Sequence, residues 1–130
     1  MFSNVVTNEA FAGAANTVDA WYDAWVTQDT GAREEKLAEI VSSTIQFRDR
    51  YSLLNGVEDV SAHIGASHRF MSGVSLRRNG DVRHCQGTVL TDWIAGDRNG
   101  KELMKGSSVF TLTPDGKIDS ITSFVSSQER

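Results

Sequence analysis

Hydrophobic and polar positions change period once along the chain. In the first half apolar residues return every three or four places, and in the second half every two. Residues 9–28 place Phe11, Ala14, Ala15, Val18, Trp21, Tyr22, Trp25 and Val26 at helical spacing, which predicts an amphipathic helix with Asn8 as its N-cap. Its three large rings within five residues form a wall, either core or pocket lining. Asp29-Thr30-Gly31 breaks this helix and caps the next, over 32–41, with Leu37, Ile40 and Val41 inward and Arg33, Glu34, Glu35, Lys36 and Glu39 toward water. Asn55-Gly56-Val57-Glu58 opens a third helix, with Asn55 as cap and Glu58 reaching back. Val57, Val60, Ile64 and Met71 mark its buried stripe; His68 falls on that stripe and His63 beside it.

From Ser72 onward the period of two predicts an antiparallel sheet over 74–125. Asn99-Gly100 reads as a type I′ hairpin turn and Pro114-Asp115-Gly116 as another turn. Asn79-Gly80 is either a third turn or a bulge whose hairpin tip lies at His84-Cys85-Gln86-Gly87. Val89, Thr91 and Trp93 share one strand face, and Met104, Gly106, Ser108, Phe110 and Leu112 share another. Ile118 and Ile121 fall on opposite faces of the last strand.

Between the second and third helices, residues 45–51 alternate as a strand. Ile45, Phe47, Asp49 and Tyr51 share one face; Gln46, Arg48 and Arg50 share the other. Asp49 is thus an acid on an otherwise apolar face. Such an acid is paired, exposed in a cavity, or raised in pKa, and the last is what acid–base enzymes use. Arg48 and Arg50, on the opposite face, cannot pair with it directly without a bulge.

Composition narrows the function classes. One domain spans 1–130, with 39% hydrophobic and 23% charged residues. No apolar run approaches the ~18–20 residues of a membrane span, and Met1-Phe2-Ser3-Asn4 has no basic secretory start. Cys85 is the single cysteine, so no internal disulfide forms and a structural zinc is not expected. The expectation is a reduced, cytoplasmic protein without metal or cofactor. The net charge of −4 argues against nucleic-acid binding. The basic clusters Arg48/Arg50 and Arg77/Arg78/Arg83 read as solvated strand faces, with specific anion binding as the alternative.

The order helix, helix, strand, helix, then long antiparallel strands resembles the nuclear transport factor 2-like superfamily, and within it the SnoaL-like and ketosteroid-isomerase-like proteins. The residues that carry the resemblance are Trp25-Val26-Thr27-Gln28-Asp29, Phe47-Arg48-Asp49, Gly56, Gly106-Ser107-Ser108-Val109 and Asp115-Gly116-Lys117-Ile118 with Phe124. It implies an α+β NTF2-like cone: three N-terminal helices packed into a strongly curved mixed or antiparallel sheet around an apolar pocket, with homodimers forming through the sheet. It also places the hairpin tip at 84–87, with a bulge at Gly80. By position, Asp49 matches the isomerases' general base, Trp21 their oxyanion-stabilising tyrosine and Ser108 their second acid. An indole N–H donates a hydrogen bond but does not transfer a proton as a phenol does, so steroid isomerisation itself is not implied.

The expected site has Asp49 and His68 as catalytic groups and Trp21, Trp25, Trp93, Ser108 and Phe110 as substrate-binding residues. Its ligand is a small apolar or cyclic molecule, and the chemistry that of an isomerase, cyclase or dehydratase. The alternatives are a non-catalytic ligand-binding or dimerisation module of the same fold.

Overall fold

The computed structural model describes residues 12–70 and 73–126. The expected cap Asn8, together with Glu9, Phe11, Met71 and Ser72, lies outside the described residues. Among these residues three helices, α1 (Ala14–Val26), α2 (Thr30–Ile40) and α3 (Gly56–Ser67), pack on one face of a seven-stranded sheet. The strands are β1 (Val41–Arg48), β2 (Leu53–Asn55), β3 (Ser75–Arg78), β4 (Arg83–Cys85), β5 (Thr88–Gly96), β6 (Glu102–Leu112) and β7 (Ile118–Val125). Their order is β2-β1-β7-β6-β5-β3, with β4 also on β5. All neighbours are antiparallel except β1 and β7, so the sheet is mixed.

Helical period puts Val18, Trp21, Tyr22 and Leu37 against the sheet. Strand alternation meets them with Ile45, Phe47, Val89, Trp93, Phe110 and Ile121, and together these form the core. One charge breaks the pattern. Arg33, expected in water, is only 2% exposed. Its Nε donates to Ser61 Oγ at 3.0 Å and its Nη1 to the carbonyls of Thr27, at 2.8 Å, and Gln28, at 3.4 Å. Those carbonyls lie just past the C-terminus of α1, where the helix dipole favours a cation and no intrahelical donor remains. Arg33 therefore joins the end of α1 to α3. Asp29 caps α2, its Oδ2 accepting from Ala32 N at 2.8 Å. Asn55 precedes α3 without a capping bond; its Oδ1 accepts from Gln46 Nε2 instead.

Register irregularities bend the sheet. Between β6 and β7 the pairing steps from Thr111↔Ser120 to Leu112↔Ile118, leaving Asp119 as an extra residue. That bulge brings Ile118 and Ile121 to the same buried face, correcting the expectation of opposite faces. Asp119 Oδ1 then accepts from the hydroxyls of Ser42 and Thr44 on the irregular stretch of β1.

Two turns exchange roles. Asn99-Gly100 is not a type I′ turn: Asn99 does not have positive φ, Gly100 does, and Asp97 Oδ1 accepts from the N–H groups of Asn99 and Lys101. The pair with positive φ at both positions is Gln86 (45°) and Gly87 (90°), at the tip between β4 and β5. Residues 79–82 bulge out between β3 and β4, which both pair with β5. Arg78 is not on a solvated outer face; it pairs with Asp19 of α1 at 2.9 and 3.1 Å.

Candidate active site

An apolar cavity of about 770 Å³ lies between the helices and the sheet. Its walls follow from the periodicities above. The inward stripe of α1 contributes Trp21, Tyr22 and Trp25; β1 contributes Phe47, α3 His63 and, as its C-cap, His68, and the inner faces of β5 and β6 contribute Trp93, Ala95, Met104 and Ser108. Trp21, Trp25, Phe47 and His63 form an aromatic box. Ring centroids are 6.1 Å apart for Trp21–Trp25, 5.9 Å for Trp21–Phe47 and 5.9 Å for Trp25–His63, the first and last edge-to-face.

Asp49 lines this cavity, from a position other than the one the alternation predicts. β1 ends at Arg48, and Asp49 begins the turn into β2. Its N–H donates to Ser52 O at 3.1 Å, and its Oδ1 accepts from Tyr51 N at 3.0 Å, an Asx turn. Tyr51 is 86% exposed, so the buried face stops before it and the 45–51 strand reading is corrected there. Among the described residues Asp49 forms no ion pair with Arg48 or Arg50.

A second polar group sits in the buried wall. The Tyr22 hydroxyl lies 2.8 Å from Thr91 Oγ1. Burial pushes the Tyr22 phenol above its usual range, outweighing the opposing effect of the nearby Ser108 and Thr91 hydroxyls, so it stays protonated at neutral pH. Ser108 Oγ donates in turn to Ser123 Oγ at 3.3 Å. Trp93 is 6% exposed, and its Nε1–H has no partner among the described residues. Gly106, opposite Trp93 in the sheet, is what lets the indole lie there: a Cβ would stand 2.5 Å from Trp93 Cζ2.

The cavity thus brings together Asp49, His68, Trp21, Trp25, Trp93 and Ser108. It does not include Phe110, which is fully buried behind Tyr22, edge-on to its ring at 6.3 Å. His68 is partly committed, since its Nε2 lies 2.7 Å from the carbonyl of Trp25. A carbonyl only accepts, so Nε2 carries the proton and a neutral ring keeps Nδ1 as acceptor. Lining residues outside the expected site include Tyr22, one of the three rings expected as core or pocket lining, and His63. His63 has a legible signal, lying three after Val60 and four before Ser67. Tyr22 lies four after Val18 on the inward stripe, but the resemblance drew attention to Trp21.

No metal-ligand cluster occurs among the described residues, and no helix among them is long and apolar enough to cross a membrane. No protein-family model matches the sequence, and no curated protein is similar to it in sequence. Solved structures do match. A SnoaL-like family protein of Agrobacterium tumefaciens strain C58, assigned as an isomerase, superposes with a TM-score of 0.83 at 17% identity, over 89% of this chain and 99% of that one. A protein assigned as a SnoaL-like polyketide cyclase, from Jannaschia sp. CCS1, gives 0.71 at 15% identity, over 88% and 85%. A Nostoc punctiforme PCC 73102 protein of unknown function with a cystatin-like fold gives 0.76 at 11% identity, over 95% and 96%. At these identities the likeness is one of architecture: this chain has the α+β NTF2-like cone fold of the SnoaL-like proteins.

Proposed function

We propose that the protein binds a small cyclic or polycyclic apolar molecule in the cavity and moves a proton next to a carbonyl on it, as an isomerase, cyclase or dehydratase does. The observation that carries this reading is one apolar cavity lined both by a carboxylate, Asp49, and by a buried protonated phenol, Tyr22, hydrogen-bonded to Thr91. Asp49 takes a proton from carbon, and the electron pair passes into the carbonyl oxygen. Tyr22 donates a hydrogen bond to the oxygen as its negative charge develops, and Ser108 adds a second by turning its O–H away from Ser123 Oγ. The protonated Asp49 then returns its proton to a second carbon for isomerisation, or to a leaving hydroxyl for dehydration. Tyr22 takes the oxyanion-binding role the resemblance gave to Trp21, because it is the phenol the first helix offers to the cavity. His68, through Nδ1, is the second proton carrier. Assignments of the neighbouring structures as isomerase and polyketide cyclase are consistent with this class.

The second reading is a non-catalytic binding module, favoured by the commitment of Asp49 Oδ1 to the Tyr51 N–H. Asp49→Asn separates the two cleanly, because asparagine keeps that acceptor and the turn. Tryptophan fluorescence titration with steroids, aromatic polyketides and cyclic terpenoid ketones finds the ligand class, and turnover of that class is then measured. The enzyme reading expects Asp49→Asn to keep affinity and lose turnover by a factor of about 10²–10⁴. Binding without turnover in the wild type leaves the module reading. No saturable response from any class defeats both.

A further inference from the structure

We propose that the cavity's mouth takes the anionic head group of an otherwise apolar cyclic ligand, with Arg50 and Arg48 as its counter-charges. This rests on reading the cavity as a small-molecule site and names the ligand more closely. The chain as a whole is acidic, with a net charge of −4, yet the charged residues lining the cavity are two arginines against one aspartate. Among the described residues neither guanidinium has an acidic partner within ion-pair distance. Ion pairs among the described residues are Lys36–Asp23, Arg78–Asp19 and Arg83–Asp92, and none involves Arg48 or Arg50. The Arg48 Nη2 donates to the neutral Oε1 of Gln46. The Arg50 guanidinium lies 5.4 Å from the centroid of the Tyr51 ring, which is also neutral.

A guanidinium at the edge of a low-dielectric cleft attracts anions more strongly than one on an open surface, because the apolar wall focuses its field. Its planar fork also matches the two oxygens of a carboxylate or phosphate. The aromatic box takes the apolar body, so a ligand seated there brings its polar end to the turn that carries Arg48, Asp49 and Arg50.

The test is calorimetric titration of the full chain with 2-naphthoate, methyl 2-naphthoate and 2-naphthyl phosphate, at low and raised salt. It is repeated on the Arg48→Gln/Arg50→Gln double variant, whose fold is checked by circular dichroism. The expected result is that 2-naphthoate binds roughly tenfold tighter than its methyl ester at low salt. The double variant should bring the two within about twofold, and salt should narrow the gap in the wild type. Tighter binding of the phosphate than of the carboxylate identifies a phosphate head group, and the reverse a carboxylate. An ester that binds as tightly as the acid overturns the proposal while leaving the cavity reading intact. So does an acid preference that survives both substitutions. Failure of all three compounds to bind the wild type removes the cavity reading, and this proposal with it.

Discussion

The hydroxyl of Tyr22 on α1 lies 2.8 Å from Oγ1 of Thr91 on β5, a contact between residues 69 positions apart that is buried in the wall of the cavity. Tyr22→Phe removes the phenol while keeping its ring. It should destabilise the fold by about 1 kcal/mol, the usual net value of such a hydrogen bond, because Thr91 loses its partner. Under the proposed chemistry it should also lower kcat with little change in KM, since the bond to the oxyanion strengthens as charge develops. Denaturant melts and steady-state kinetics check the two effects separately.

The same phenol predicts a pH dependence. Its folded pKa is raised above the unfolded value of 10.0, so the folded state holds the proton more tightly. Its contribution to stability is present in full below pH 10 and is lost as pH rises through the folded value. Wild-type stability should therefore fall more steeply above pH 10 than that of Tyr22→Phe. Urea midpoints measured from pH 8 to 11 on both proteins test this, and parallel curves would refute it.

Arg33 should behave as a structural cation. Arg33→Met leaves the carbonyls of Thr27 and Gln28 and the hydroxyl of Ser61 without their donor. The expected cost is about 3 kcal/mol in chemical denaturation. Arg33→Lys should recover only part of it, because one ammonium on a flexible stem cannot span partners on both α1 and α3 as the planar fork does.

Gly106→Ala is expected to be among the most damaging single changes. Its Cβ would lie 1.9 Å from Phe124 O and 2.5 Å from the Trp93 ring, and one of these is backbone. A loss of about 3 kcal/mol or more should appear in thermal melts, with a shifted Trp93 emission as the indole is displaced.

The two hairpin turns make opposite predictions at look-alike positions. Gln86 holds a left-handed φ of 45°, so Gln86→Asn should stabilise by roughly 0.5 kcal/mol. Asn99 has no such strain. Asn99→Ala should be nearly neutral, whereas Asp97→Ala should cost about 1–2 kcal/mol by freeing two backbone N–H groups. Melting temperatures of the three variants decide it.

The class of the fold is legible from local pattern alone. Helical spacing of Val18, Trp21, Tyr22 and Trp25, and alternation through Val89, Thr91 and Trp93, are local properties of side-chain direction and survive any arrangement of the elements. For the same reason the inward wall of rings was legible. Whatever depends on what lies opposite a residue emerges only once the elements pack. Arg33 reads as surface in a run of charges and is buried, because the carbonyls at the end of α1 and Ser61 of α3 come to meet it. Ile118 and Ile121 share a face because one extra residue in β7 shifts the register, which no period within a strand reveals. Asp49 belongs to a turn rather than to the strand face, because β1 ends where pairing with β2 does, at Arg48↔Leu53. The cavity itself is space enclosed between layers, so its residues are legible one by one and their meeting is not.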